Sequence, residues 1–163
     1  MNLQQLQEQA MPFGAKVMGV LQDLRLLDAC RDMQMDHACV RLSTACMVED
    51  LELELDRVGK HLSTALVNGR PIMIYDLHEP FAIGDYWRPS GVELPFPKPG
   101  QSYVDGWEHV EFVLPHTANN AEALQTRFNG LFPHLLQPGF VNRYARSDSQ
   151  PHALGDQRPN PTI

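Results

Sequence analysis

Gly106-Trp107-Glu108-His109-Val110-Glu111-Phe112-Val113-Leu114-Pro115 is the stretch on which the reading of this chain turns. Between the indole and the proline, polar and apolar residues alternate with the two-residue period of a half-buried β-strand. His109, Glu111 and Val113 fall on one face, and Val110, Phe112 and Leu114 on the other. A histidine and a carboxylate on the same face of a strand can hold a metal or pass a proton. An earlier stretch repeats the arrangement: Asp36-His37-Ala38-Cys39-Val40-Arg41-Leu42, with His37, Cys39 and Arg41 opposite Ala38, Val40 and Leu42. Each histidine follows an acidic residue and opens a strand, and the two stand 72 positions apart. The expectation is that both face one cavity.

Working outward, Leu3 to Arg31 has helical spacing, with Val17, Val20, Leu21, Leu24 and Leu27 on one stripe. Pro12 and Gly14 interrupt it, which predicts two helices or one broken helix packed as a lid. After the strand at 37–43, a helix over 45–59 carries Met47, Leu51, Leu55 and Val58 on its apolar stripe, and Gly59 is placed to end it. Strands follow at 61–67 and 70–77, joined by Asn68-Gly69, the strongest short hairpin signal. A short strand at 91–96 closes a β-α-β-β-β half. The strand at 107–114 opens a second half on the same plan. A helix over 121–131, capped by Thr117 or Asn119, and a strand at 140–145 continue it, with a loop at 147–161. Two further strands are then missing from the pattern. Either the chain is a fragment, the favoured reading, or a partner such as a second copy in a homodimer covers the open sheet edge.

The chain has 163 residues, which suits one domain or two small halves sharing a core. Its net charge is -7 and no Lys/Arg cluster occurs. This argues against nucleic acid and against an anionic membrane, both of which are bound through dense positive charge. Cys30, Cys39 and Cys46 lack paired spacing, the N-terminus is polar rather than a signal peptide, and no apolar run nears the roughly 20 residues of a membrane span. A reduced, cytoplasmic protein is expected. No phosphate loop, nucleophile elbow or HExxH motif is present.

The candidate ligands are therefore His37, Glu93, His109 and Glu111, a set suited to Zn, Mn, Fe or Ni. Glu93 lies between Val92 and Leu94, either as an outward edge glutamate or as a carboxylate buried for a reason. His78, before Glu79-Pro80, is either a base at the cavity mouth or part of a strand-ending turn. Arg41 either binds an anionic substrate group or pairs with a carboxylate. Cys39 is a small buried thiol, a soft ligand or a nucleophile.

Taken together, Asp36-His37-Ala38-Cys39-Val40-Arg41, Asn68-Gly69-Arg70-Pro71-Ile72, Leu77-His78-Glu79-Pro80, Val92-Glu93-Leu94-Pro95-Phe96-Pro97, Gly106-Trp107-Glu108-His109-Val110-Glu111 and Arg158-Pro159-Asn160-Pro161-Thr162 resemble the YecM family. The resemblance implies an α+β fold similar to the vicinal oxygen chelate (glyoxalase-like) superfamily. That fold pairs βαβββ modules whose curved mixed sheets enclose a metal-lined cavity. It divides the chain into an N-terminal helical segment (1–34), a first module (35–97) and an incomplete second module (104–163). By position it implies a divalent metal on His37, Glu93 and His109. A fourth ligand would lie on a strand beyond Thr162, so weak metal affinity is expected of this chain, and Glu111 becomes a substitute ligand or the base. Two functions follow. One is a metal-dependent lyase, isomerase or dioxygenase acting on a small oxygen-rich molecule, with Glu111 or His78 as base and Arg41 on an anionic group. The other is a non-catalytic protein that holds a metal or small ligand in the same cavity.

Overall fold

The computed structural model describes residues 1–114 and 120–136. The strand expected at 140–145 and the loop at 147–161 lie outside the described residues. Two compact units divide the chain, at 1–115 and 116–163.

The first unit is α+β, with N-terminal helices and a curved, unclosed five-stranded sheet. Helix α1 (Leu3–Asp23) and the short α2 (Leu27–Cys30) precede strand β1 (Met35–Arg41), helix α3 (Ala45–Val58) and strands β2 (Gly59–Val67), β3 (Arg70–Leu77), β4 (Gly91–Pro95) and β5 (Gly106–Phe112). The strand order is β2-β3-β4-β1-β5; β1 and β4 run parallel and every other pair antiparallel. Asn68 and Gly69 both take positive φ (52° and 74°), the conformation a two-residue hairpin turn demands, so β2 and β3 pair as the sequence signals.

The expected break at Pro12 and Gly14 is corrected. Helix α1 runs unbroken through both, and the chain turns instead at 24–26, where Arg25 takes φ 55°. Pro12 is exposed, so the Glu8 carbonyl that loses its helical donor faces water. The opposite stripe, Leu6, Ala10, Gly14 and Leu21, is buried and holds the helix in place. Gly14 is required there for another reason: a Cβ would lie 2.1 Å from the backbone nitrogen of Gly84. Only a bare Cα lets the 81–88 loop rest on the helix.

One face of the sheet carries Ala38, Val40, Leu42, Met73, Tyr75, Leu77, Val92 and Leu94 into a core completed by Leu51 and Leu55 of α3 and Leu6 of α1. Two tryptophans tie loops and helices to it. Trp87 Nε1 donates to the Cys30 carbonyl (3.1 Å), and Trp107 Nε1 donates to the Leu6 carbonyl (2.8 Å). The other face of the same strands carries His37, Cys39, Arg41, Glu93, His109 and Glu111. The sheet thus separates an apolar side from a polar one.

In the second unit, α4 (Ala121–Leu131) is capped by Asn120, whose side chain accepts from the Ala123 amide at 2.8 Å, rather than by Thr117 or Asn119. A short 3-10 turn (Pro133–Leu136) follows.

Candidate metal centre

Two irregularities in the pairing of β1 with β5 build the polar side. Met35 pairs with Phe112 and His37 with Glu111, so two steps on β1 oppose one on β5 and Asp36 is the extra residue. Farther along, Cys39 pairs with His109 and Val40 with Trp107, so Glu108 is the extra residue on β5. A β-bulge re-aims the side chain it inserts. Both bulges fall on the acidic residue of an acid–histidine dipeptide. Each carboxylate thereby comes to the Nδ1 of the histidine that follows it: Asp36 Oδ2 at 2.9 Å from His37, and Glu108 Oε2 at 3.5 Å from His109.

His37 is 5% exposed. With Nδ1 engaged by Asp36, its Nε2 points to Glu93 Oε2 at 3.4 Å and Glu111 Oε1 at 3.9 Å. Neither contact has hydrogen-bond geometry, so this buried nitrogen has no hydrogen-bond partner among the described residues. The His109 ring stands edge-on to His37 at a centroid distance of 6.5 Å. Ligand atoms of His37, His109 and Glu111 all lie within 4.8 Å of one another, and these three could hold a metal ion. Glu93, expected as a ligand, touches His37 but is not in that triad. Glu111, expected as a substitute ligand or base, is in it.

The site is electrostatically tense. Burial lowers the affinity of His37 for a proton, but the hydrogen bond to Asp36 and the carboxylates of Glu93 and Glu111 more than reverse this and raise its pKa to about 9. Glu93 is 6% exposed. Burial pushes its pKa up, yet His37 and His109 outweigh that and hold it below the ordinary carboxylate range. In the metal-free state the proton on His37 therefore does what a cation would do: it balances two carboxylates. A metal fits this donor set. Nδ1–H bonded to a carboxylate fixes the tautomer in which Nε2, once its proton is displaced, offers a lone pair to an ion, and here Nε2 is buried and faces two oxygens.

Arg41 is paired with Glu108, and its guanidinium stacks over Tyr103 at 4.8 Å. The two residues of this ion pair line a groove of about 530 Å³ with Gln9, Lys16, Tyr103 and Trp107. His78 lies elsewhere. It is exposed at the end of β3, in a separate cavity of about 260 Å³ with Leu3, Gln7 and Phe81, and contributes no atom to the triad. Sequence reasoning missed Glu108 as a site residue, because strict alternation places it on the core face. Two signals were available: it precedes His109 as Asp36 precedes His37, and with His109 it forms an adjacent polar pair that interrupts the alternation.

A family model described as YecM protein matches residues 2–163. Protein YecM of Escherichia coli is 34% identical over 130 residues, covering 78% of this chain and 65% of that protein. An uncharacterized protein of Haemophilus influenzae is 28% identical over 130 residues, covering 80% and 65%. The chain thus spans 65% of the length of these curated relatives. Among solved structures, the structural-genomics Protein EC4020 matches with a TM-score of 0.70 and 31% identity, over 84% of this chain and 73% of that one. No helix among the described residues is long and apolar enough to cross a membrane.

Proposed function

The chain belongs to the YecM family, and on that premise we propose that it is a divalent-metal protein with lyase, isomerase or dioxygenase-type chemistry on a small oxygen-rich molecule. The observation that carries this reading is the buried Nε2 of His37, without a hydrogen-bond partner among the described residues and facing Glu93 and Glu111. A bound Zn, Mn, Fe or Ni ion would supply Lewis-acid polarisation of the substrate's oxygens.

The chain's own residues divide the remaining work. His37 and His109 are neutral nitrogen ligands, the first fixed by Asp36. Glu93 suits a permanent fourth ligand, since a carboxylate this deeply buried is costly without a cation beside it. The side chain of Glu111 is half exposed (50%), and it suits the carboxylate that gives way to substrate and takes its proton. The groove beside Glu108 admits a small molecule, with Arg41 and Lys16 toward any anionic end. Two paired βαβββ modules are the architecture this reading assumes, with β1, α3 and β2–β4 as the first and β5 opening the second. A small-molecule ligand, and neither nucleic acid nor membrane, is its partner.

Metal analysis of the purified chain tests the reading. The expected result is divalent-ion binding at the position of His37, His109 and Glu111 that is lost in His37→Ala and His109→Ala. An unmetallated protein whose titrated metal affinity is the same in both variants overturns it. Turnover of dicarbonyl, epoxide or catechol-type compounds then separates an enzyme from a protein that binds its metal without catalysis.

A further inference from the structure

We propose a second cation position beside the first, formed by Cys39, Glu108 and His109 and suited to a borderline or soft divalent cation such as Zn2+, Co2+ or Cd2+. One ligand atom from each of the three lies within 4.8 Å of the others, and only His109 is shared with the triad of His37, His109 and Glu111. The position exists because of the bulge at Glu108, which turns that carboxylate onto the face of Cys39 and His109. Its oxygen Oε2 lies 3.8 Å from Cys39 Sγ and 3.5 Å from His109 Nδ1.

Cys39 is fully buried and lies on the polar side of the sheet, outside the contiguous apolar cluster. Cation binding breaks the S–H bond. The proton leaves to solvent, the sulfur electron pair goes to the cation, and nothing is oxidised or reduced.

The charges allow this. Asp36, Glu93, Glu108 and Glu111 set four carboxylates on this side of the sheet against the single guanidinium of Arg41, which leaves three negative charges when both histidines are neutral. Replacing a thiol proton with a divalent cation adds one positive charge. Arg41 is the opposing term: it binds Glu108 through Oε2, the same oxygen that faces Cys39 and His109, so a cation at this position competes with the guanidinium for it.

The probe is Co2+ alone, titrated into the full chain carrying Cys46→Ser, which removes the exposed thiol. The expected result is a thiolate-to-cobalt charge-transfer band in the near ultraviolet that saturates with binding. Cys39→Ser abolishes that band, while Glu111→Gln, which touches only the first position, keeps it. Co2+ binding without the band, or a band unchanged in Cys39→Ser, overturns this position and leaves the first centre standing. No Co2+ binding at all overturns both. If Cys39→Ser does not fold, X-ray absorption of the Cys46→Ser complex decides: a sulfur shell around cobalt supports the position and its absence refutes it.

Discussion

Asp36-His37 and Glu108-His109 are the same device built twice. In each, a bulge turns an acidic residue toward the Nδ1 of the next histidine. What differs is the strand. β1 is flanked by β4 and β5, whereas β5 is the sheet's edge among the described residues. His37 is accordingly 5% exposed, with carboxylates on both ring nitrogens, while the His109 side chain is 41% exposed and shares its carboxylate with Arg41. An ion pair removed from water strengthens, and it also becomes costly to break. The buried copy should therefore govern both folding and metal binding, and the edge copy only metal binding.

The widest separation expected between the two is in stability. His37→Ala leaves Glu93 buried with its main partner gone, which by analogy with broken buried pairs costs about 3–5 kcal/mol. His109→Ala removes a partly exposed ring at the sheet edge and should cost less than about 1 kcal/mol. Denaturant unfolding of the metal-free proteins measures both. Equal losses would mean that strand position does not control the two sites.

A smaller contrast lies in the carboxylates behind the rings. Asp36→Asn removes the charge that fixes the His37 tautomer and should weaken metal binding at the first position by roughly 10–100-fold. Glu108→Gln acts through a longer contact already shared with Arg41 and should weaken the same position by less than about 10-fold. Competition titration with a chromophoric chelator distinguishes the two, and a reversed order would break the comparison.

The pH dependence sharpens it further. His37 titrates at about 9 in the folded chain, against about 6.5 when unfolded. The stabilisation from its charged form is complete below pH 6.5 and disappears as pH rises through 9. Metal-free protein should lose stability across that window, and His37→Ala should flatten the loss. Metal affinity should climb over the same range, because the ion must displace the His37 proton.

Much of this arrangement was legible in the sequence. Alternation gave the strands, Asn68-Gly69 gave the hairpin, and the echo of Asp36-His37 in Glu108-His109 marked both histidines before any geometry was known. The bulges were not legible. A bulge arises from how two distant strands pair, and the adjacent polar residues Glu108 and His109, which interrupt the alternation, do not by themselves say which partner residue they straddle. Glu108 was therefore not among the candidate ligands, while Glu93 stood ahead of Glu111 because the family resemblance implies a ligand at its position. Pro12 misled for a related reason. Its cost to a helix depends on whether the orphaned carbonyl is buried, and that is decided by how α1 packs.

The smallest effect expected is acidic, and it tests the edge copy alone. His109 as hydrogen-bond partner, then the charge of Arg41 against a partial opposing effect of burial, hold Glu108 at about 2. A lowered carboxylate pKa stabilises the fold above its ordinary value near 4.3 and loses that contribution as pH falls toward 2. The Glu108 side chain is 36% exposed, so water screens the pair and the contribution should stay below about 1 kcal/mol. Comparing wild type with Glu108→Gln from pH 5 to pH 2 isolates it: the difference in unfolding free energy should shrink toward the acid end. A difference that stays constant over this range would mean that Glu108 acts through its shape at the bulge rather than through its charge.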